Sequence, residues 1–333
     1  MNFDFSDDQR TIKATARELL ASRSPFERVR AAAEAGGDDT DLWRELCALG
    51  WPGIAVAEEH GGQGLGAVEL AVLLEELGYA VAATPLLGTV LAASAIEHAG
   101  SAMQRGRWLP GLAAGELTGA FGGVHDLIAD AADADVIVLV EAGAPRLVAR
   151  ADAAVERVEA IDPTRRYARV RGDGPALEGE VAGALARAGV AVAAEVVGVC
   201  QRALDMTVAY VSERRQFGAP VGAFQAVSHR CAQMLLQTEG ARSAAYFGAW
   251  AADAAPERLA EAAGLACAAA AVAGPEVTGS AIQAHGGIGF TWEADVHWLF
   301  KRAQLDAALL GSASGHRIRL ARLVAAQRAV ASA

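Results

Sequence analysis

Cysteine is scarce in this chain of 333 residues: Cys47, Cys200, Cys231 and Cys267 lie far apart. There is no Cys-x-x-Cys pair and no histidine at a zinc-ligand spacing, so neither a disulfide framework nor a structural zinc site is expected. The four read as reduced core thiols. Basic residues are outnumbered, 29 Lys plus Arg against 40 Asp plus Glu, for a net charge of −11. Nucleic-acid binding needs a basic face to neutralise phosphates, so that class is disfavoured. Residues 1–10 carry three aspartates and no apolar run of the kind a secretory signal uses. The richest apolar stretch, Gly264 to Gly274, is largely alanine and falls short of the ~20 residues of a membrane span. A cytoplasmic protein without a membrane role is expected.

What the chain has is apolar sequence. At 53% hydrophobic and 21% charged residues, a disordered chain is excluded. The length suits about two domains, or one large helical array with a smaller insert. Ser6 with Gln9 forms a capping box ahead of Ile12, Ala16, Leu19 and Leu20, so a helix begins near Ser6. Asp41 to Leu49 and Val68 to Leu77 are further amphipathic helices, which glycines at 50 and 78 are expected to stop. Helical pieces follow at Val81 to His98 and Gln104 to Ala114. The run Gly61 to Gly66 invites comparison with a phosphate loop, but no Lys-Ser/Thr follows it and no buried strand precedes it.

The pattern changes after Gly119. Asp135 to Val140, Arg146 to Ala149 and Tyr167 to Val170 are short β-prone runs, predicting one small sheet that ends near Arg171. Beyond Leu177 the chain returns to long Ala/Leu/Val helices at Val181 to Glu213, Phe224 to Ala252, Leu259 to His285 and Trp292 to Gln327, lengths that suit a four-helix bundle. The expectation is a mostly α protein with a small β insert, divided as 1–118, 119–174 and 175–333.

Several motifs stand in a fixed order. They are Gly50-Trp51-Pro52-Gly53, then Glu58-Glu59-His60-Gly61-Gly62-Gln63-Gly64, Glu75-Glu76-Leu77-Gly78-Tyr79, Pro85-Leu86, and Trp108-Leu109-Pro110 with Gly115-Glu116. Two more lie near the end: Glu213-Arg214-Arg215-Gln216-Phe217-Gly218 with Phe224-Gln225, and Gln283-Ala284-His285-Gly286-Gly287-Ile288-Gly289-Phe290 with Trp292-Glu293. Together they resemble the acyl-CoA dehydrogenases over nearly the whole chain. The resemblance implies an N-terminal helical domain, a middle β-domain and a C-terminal four-helix bundle. It also implies FAD, an acyl-CoA thioester substrate oxidised to its trans-2-enoyl form, and an electron-transferring flavoprotein as acceptor. In that family a carboxylate removes the α-proton while the β-hydrogen leaves as hydride to the flavin.

Carried over by position, the resemblance gives Arg214 the pyrophosphate of a FAD held mainly by a neighbouring subunit, with Phe217 packed nearby; guanidinium suits phosphate geometry. Gln283, Gly286 and Gly287 would let backbone approach the ADP portion. Taken by itself, Arg214 reads first as a solvated helix-end arginine, a reading the full signature displaces, and the glycine pair reads as a helix C-cap and turn, which is compatible with cofactor contact. His285 reads as a partly buried turn residue and Glu293 as a helix-start charge.

The departures carry as much information. The family's catalytic Glu falls on Leu310, with Gly311 and Arg317 matching around it, and the alternative base position on the preceding helix falls on Val272. Neither side chain takes a proton. Glu276, one turn on, is the nearest carboxylate and a weak candidate base. The Thr-Glu-Pro-x-x-Gly-Ser-Asp and Gly-x-Lys-x-x-Ile-Thr-Asn stretches that hold the flavin ring and thioester in the family are missing between Glu116 and Arg171. Val124 to Leu139 and the turn Asp162-Pro163-Thr164-Arg165-Arg166 still resemble later parts of the middle domain. A short, base-less chain resembles one subunit of the actinobacterial α2β2 acyl-CoA dehydrogenases that act on steroid side-chain CoA esters. A second acyl-CoA dehydrogenase-like chain would then supply the Glu base. Two alternatives remain open here: a scaffold subunit that touches no cofactor, and a homomeric flavoenzyme with different chemistry.

Overall fold

The computed structural model describes residues 4–331. Helix α1 spans Asp7–Arg23 and starts with the expected capping box, Ser6 accepting from the Gln9 N–H while Gln9 accepts from the Ser6 N–H. Helix α2, Phe26–Glu34, was not foreseen: it follows Pro25 without a side-chain cap and is rich in alanine, so its periodicity is faint. Helix α3 spans Thr40–Ala48, capped by Asp39. Helix α4, Ala67–Ala80, runs through Gly78 rather than stopping there. The glycine serves packing: a Cβ on Gly78 would overlap the carbonyl oxygen of Glu195, and one on Gly198 would overlap that of Glu75. Helices α5, Leu86–Ala99, and α6, Ala102–Ala114, complete the first set.

The β region is two sheets, where one was expected. Strand β1, Gly119–Gly123, pairs parallel with β2, Val136–Glu141, which pairs antiparallel with β3, Ala144–Ala149. Strands β4, Ala153–Arg157, and β5, Ala168–Gly172, form a separate antiparallel pair. Both faces of β2 are buried: Val136 and Val138 join Ile96, Leu109 and Leu112 in one cluster, while Ile137 and Leu139 join Ile128, Val148 and Val170 in another. That is the period-2 alternation of a strand between two cores. Glycine-rich β1 carried no β signal, yet its small residues let α5 lie on it; a Cβ at Gly119 would strike Ala92.

Helix α7, Val181–Glu213, leads through a short hairpin, β6 (Arg215–Gln216) and β7 (Ala219–Pro220), into α8, Gln225–Ala254. Helix α9, Leu259–His285, follows, then α10, Val296–Leu310, and α11, Ala313–Ala331. The fourth bundle helix expected over Trp292 to Gln327 is therefore two, broken at Gly311, whose φ of 79° belongs to glycine. The main core joins α1 through α5 to α7 through α10, with leucines such as Leu46, Leu74 and Leu87 meeting Val196, Val199 and Leu299. Helices α7 and α9 are long and apolar enough to cross a membrane by length and composition, which corrects the expectation from Gly264 to Gly274. They are core helices: 78% of the most apolar window of α7 is buried inside the fold. All four cysteines are free thiols.

Candidate functional site

Helix α7 ends where the first C-terminal motif begins. Arg214 turns to extended geometry, its N–H still bonded to the Tyr210 carbonyl at 2.9 Å, while its own carbonyl accepts from Val221 at 2.7 Å. This clamps the base of the β6–β7 hairpin, in which Arg215 faces Pro220 and Gln216 faces Ala219. The two-residue turn is Phe217-Gly218, both at positive φ, 53° and 81°. Such a turn matches the twist of the paired strands but asks for Asn or Gly at its first position. Phenylalanine there is strained by roughly 1–2 kcal/mol. It is also 94% exposed, with the Phe224 ring edge-on 6.2 Å away. Arg214 is exposed and makes no side-chain hydrogen bond or ion pair with any described residue. The hairpin thus presents an exposed aromatic at positive φ three residues from an Arg214 without an acceptor among the described residues.

The second motif lies at the same end of the bundle. Helix α9 closes at His285, and Gly286 takes φ 68°, its N–H bonded to the Gln283 carbonyl. At Gly286 and Gly287 a Cβ would meet nothing within 4 Å, so these glycines leave bare backbone facing open space. Gln283 is exposed. His285 is buried, stacked on Tyr210 with ring centroids 4.5 Å apart, and its Nδ1 sits 2.8 Å from the Ala281 carbonyl. Burial holds its pKa below the usual histidine value, so it is a neutral packing residue that links the two motifs. Beyond the turn, Phe290 and Trp292 are 75% and 72% exposed, and the Lys301 ammonium lies 4.2 Å from the Trp292 ring centre.

The positions where a base is expected lie on α9 and α10. Leu310 is the last residue of α10. Val272 lies mid-α9, and Glu276 is exposed, its carboxylate accepting from the Gln237 amide. Glu293 is exposed too, and a hydrogen bond from Thr291 lowers its pKa. The Gly61 to Gly66 run holds no phosphate cradle. At the α4 N-terminus it precedes, Asp253 already accepts from the Ala67 and Val68 N–H groups at 2.8 and 3.1 Å.

One cluster escaped the sequence reading. Arg165 and Arg302, fully buried, bind Glu195 at 2.5 and 3.0 Å; Arg302 also binds Asp162 at 2.7 Å, and Arg165 binds Asp306 at 3.0 Å. It ties the 162–165 turn to α7 and α10. Burial pushes the Asp306 carboxyl far above its ordinary range, Glu195 adding to the effect. Burial also works against charge on Asp162, but Arg302, the Thr164 hydrogen bond and Arg165 together outweigh it and hold that carboxyl low. A lone glutamate inside Val-Ala-Ala-Glu-Val-Val was the available signal.

Comparison with known proteins fits this geometry. Residues 6–116 match the acyl-CoA dehydrogenase N-terminal domain model and residues 180–325 the C-terminal domain model. The acyl-CoA dehydrogenase IpdE2 of Mycolicibacterium smegmatis is 36% identical over 92% of this chain and 95% of its own length. IpdE2 of Mycobacterium tuberculosis is 35% identical over 92% and 94%. Among solved structures, a variant of the Tcur3481-Tcur3483 steroid ACAD superposes with a TM-score of 0.86 at 29% identity, over 97% of this chain and 99% of that one. The ChsE4-ChsE5 complex from Mycobacterium tuberculosis gives 0.87 at 25%, over 98% and 99%. The chain belongs to the acyl-CoA dehydrogenase family.

Proposed function

We propose that this chain is one subunit of an α2β2 FAD-dependent acyl-CoA dehydrogenase, one that completes a partner's flavin site and carries no catalytic base of its own. The observation that carries the reading is the Phe217 tip: a strained aromatic, 94% exposed, beside an Arg214 that has no acceptor among the described residues. These groups, with the open backbone at Gly286 and Gly287, fit the anionic, planar chemistry of FAD. Arg214 would hold the diphosphate, Phe217 would pack beside it, and Gln283 with Gly286 and Gly287 would meet the ADP portion. Bound there, FAD would supply the hydride acceptor for α,β-dehydrogenation.

Supporting the partner is what the chain lacks. Leu310 and Val272 stand where a base is expected, and Glu276 is tied to Gln237 at the surface. The relative described as a steroid ACAD and the ChsE4-ChsE5 complex support a two-chain enzyme acting on a CoA ester of a steroid side chain. The exposed aromatics Phe217, Phe290 and Trp292 suit an obligate interface, which commonly buries more than ~2,000 Å². The proposed organisation keeps 1–118, 119–174 and 175–333 as three parts of a cytoplasmic, lipid-degrading flavoprotein that passes electrons to an electron-transferring flavoprotein.

Co-expression with a second acyl-CoA dehydrogenase-like chain from the same source tests the reading, with mass, flavin per chain and dehydrogenation of a CoA-ester panel as readouts. The expected result is two flavins per four chains, activity in the pair alone, and flavin loss on Arg214→Ala. A yellow, active product from this chain by itself would overturn the division of labour and return Glu276 to candidacy. Unchanged flavin content in the Arg214→Ala pair would make the chain a scaffold.

A further inference from the structure

At the opposite end of α7 from Arg214, a cavity of about 400 Å³ opens between α4, α5, α7 and the end of α8. Its walls are mostly apolar, formed by residues such as Val56, Leu70, Leu91, Val190, Ala191 and Ala252, with Asp253 at the rim formed by the end of α8. Its volume falls within the ~300–1,000 Å³ of small-molecule sites. Arg187 lines it, and the Arg187 Nε is buried without a hydrogen-bond partner. The acids whose charge reaches Arg187 are already engaged: Asp253 accepts from the first N–H groups of α4, and Glu180 accepts from Gly183 at the start of α7. His98 also lines the cavity, and burial with the nearby Arg187 lowers its pKa to about 4, leaving it uncharged at neutral pH.

Arg187 makes no side-chain hydrogen bond or ion pair with any described residue, and a charged donor left unmade away from water is costly. An oxyanion on an apolar body would meet the part of the guanidinium that lines the cavity and fill the remaining space. We infer that this cavity binds a compact apolar acid, with its carboxylate on the Arg187 guanidinium and its hydrocarbon body along α5 and α7. Glu97 and Asp253 also line the cavity, so Arg187 is the cationic partner it offers a carboxylate among the described residues. The inference does not depend on the shared-flavin reading. The acid could come free in solution or as the distal carboxylate of an acyl-CoA, and the chemistry that recognises it is the same.

Calorimetry on the full chain, alone and co-purified with its partner, tests it with octanoate, octan-1-ol, octanoyl-CoA and the mono-CoA thioester of octanedioic acid. Octanoate is expected to bind at least ~10-fold tighter than the alcohol, the worth of a charge-assisted hydrogen bond. Arg187→Gln should reduce octanoate to the level of the alcohol, and Ser94→Phe, which fills the cavity, should abolish both. Tighter binding of the octanedioic thioester than of octanoyl-CoA, lost in Arg187→Gln, assigns the carboxylate to an acyl chain; equal thioesters with octanoate bound assign it to a free acid. Equal affinity for octanoate and octan-1-ol, or an Arg187→Gln variant that binds octanoate unchanged, overturns the inference. Should Arg187→Gln fail to fold, the acid-against-alcohol comparison on the unaltered chain decides alone. No flavin and no turnover enter the readout, so failure here is separate from failure of the proposed function.

Discussion

Tyr210 stacks on His285 with ring centroids 4.5 Å apart and planes inclined by 18°. Tyr210 also gives its carbonyl to Arg214, and His285 immediately precedes the Gly286 turn. This pair thus fixes the separation of the two motifs, which are remote in sequence and come together only because α7 and α9 run side by side in the bundle.

Replacing Tyr210 with leucine keeps an apolar side chain but removes the stacked ring. The expected stability loss is small, ~0.5–1.5 kcal/mol for an aromatic pair. Flavin content of the co-purified enzyme should fall further than that loss explains, because the Arg214 backbone and the glycine turn are no longer held in register. Flavin-to-protein ratio and urea midpoint, measured together, check this; an unchanged ratio would separate the stack from cofactor binding.

Phe217→Gly should move two observables in opposite directions. Glycine adopts the φ of 53° without strain, and the lost side chain was 94% exposed, so little packing goes with it. Relief of ~1–2 kcal/mol of strain, offset in part by the greater freedom of glycine in the unfolded chain, leaves the isolated chain up to ~1 kcal/mol more stable. Flavin retention in the two-chain enzyme should drop at the same time. Urea unfolding and a flavin-release assay check the pair of signs.

What the sequence made legible and what it hid have physical reasons. The Ser6 and Gln9 box located the start of α1, and a short run of β-prone residues located β2, because both are local codes. The site motifs were readable as a resemblance, since each keeps its residues in a short run. Contacts between distant segments were not. Gly78 reads as a helix stop until Glu195 is seen against it, and Gly119 to Gly123 reads as loop until α5 is seen lying on it. Arg302 and Glu195 gave no sign of being partners, 107 residues apart in the chain.

The Gly78 and Gly198 contact makes its own prediction. Alanine is better than glycine in a helix by ~1 kcal/mol, so propensity alone would have Gly198→Ala stabilise α7. Here the added Cβ overlaps the Glu75 carbonyl oxygen and crowds the Tyr79 nitrogen, which are backbone atoms that cannot step aside. The substitution should cost ~1–3 kcal/mol as overpacking, and Gly240→Ala on α8, where a Cβ meets nothing within 4 Å, should show the ordinary gain. Urea midpoints of the two variants check the contrast.

The buried ion cluster should reveal itself as two opposite pH dependences. Asp162 is held low mainly by Arg302 against the cost of burial. A lowered carboxyl contributes stability above its unfolded value of ~3.9, and that contribution is lost as pH falls through the folded value. Asp162→Asn should therefore be destabilised at pH 7, by ~3–5 kcal/mol because the Arg302 charge loses a buried partner, and should converge on the unaltered protein toward acid. Asp306 is the reverse. Two buried arginines already face Asp162 and Glu195, and burial, with Glu195 beside it, pushes the Asp306 carboxyl up. A raised carboxyl gives its full stability below ~3.9 and loses it as pH rises through the folded value. Asp306→Asn keeps an oxygen for the Arg165 hydrogen bond and has no proton to give up. Its stability should match or exceed the unaltered protein at pH 7, with a flatter decline toward alkali. Urea midpoints from pH 2 to 9 check both signs, and parallel profiles for the two variants would mean that Asp306 is ionised in the folded chain.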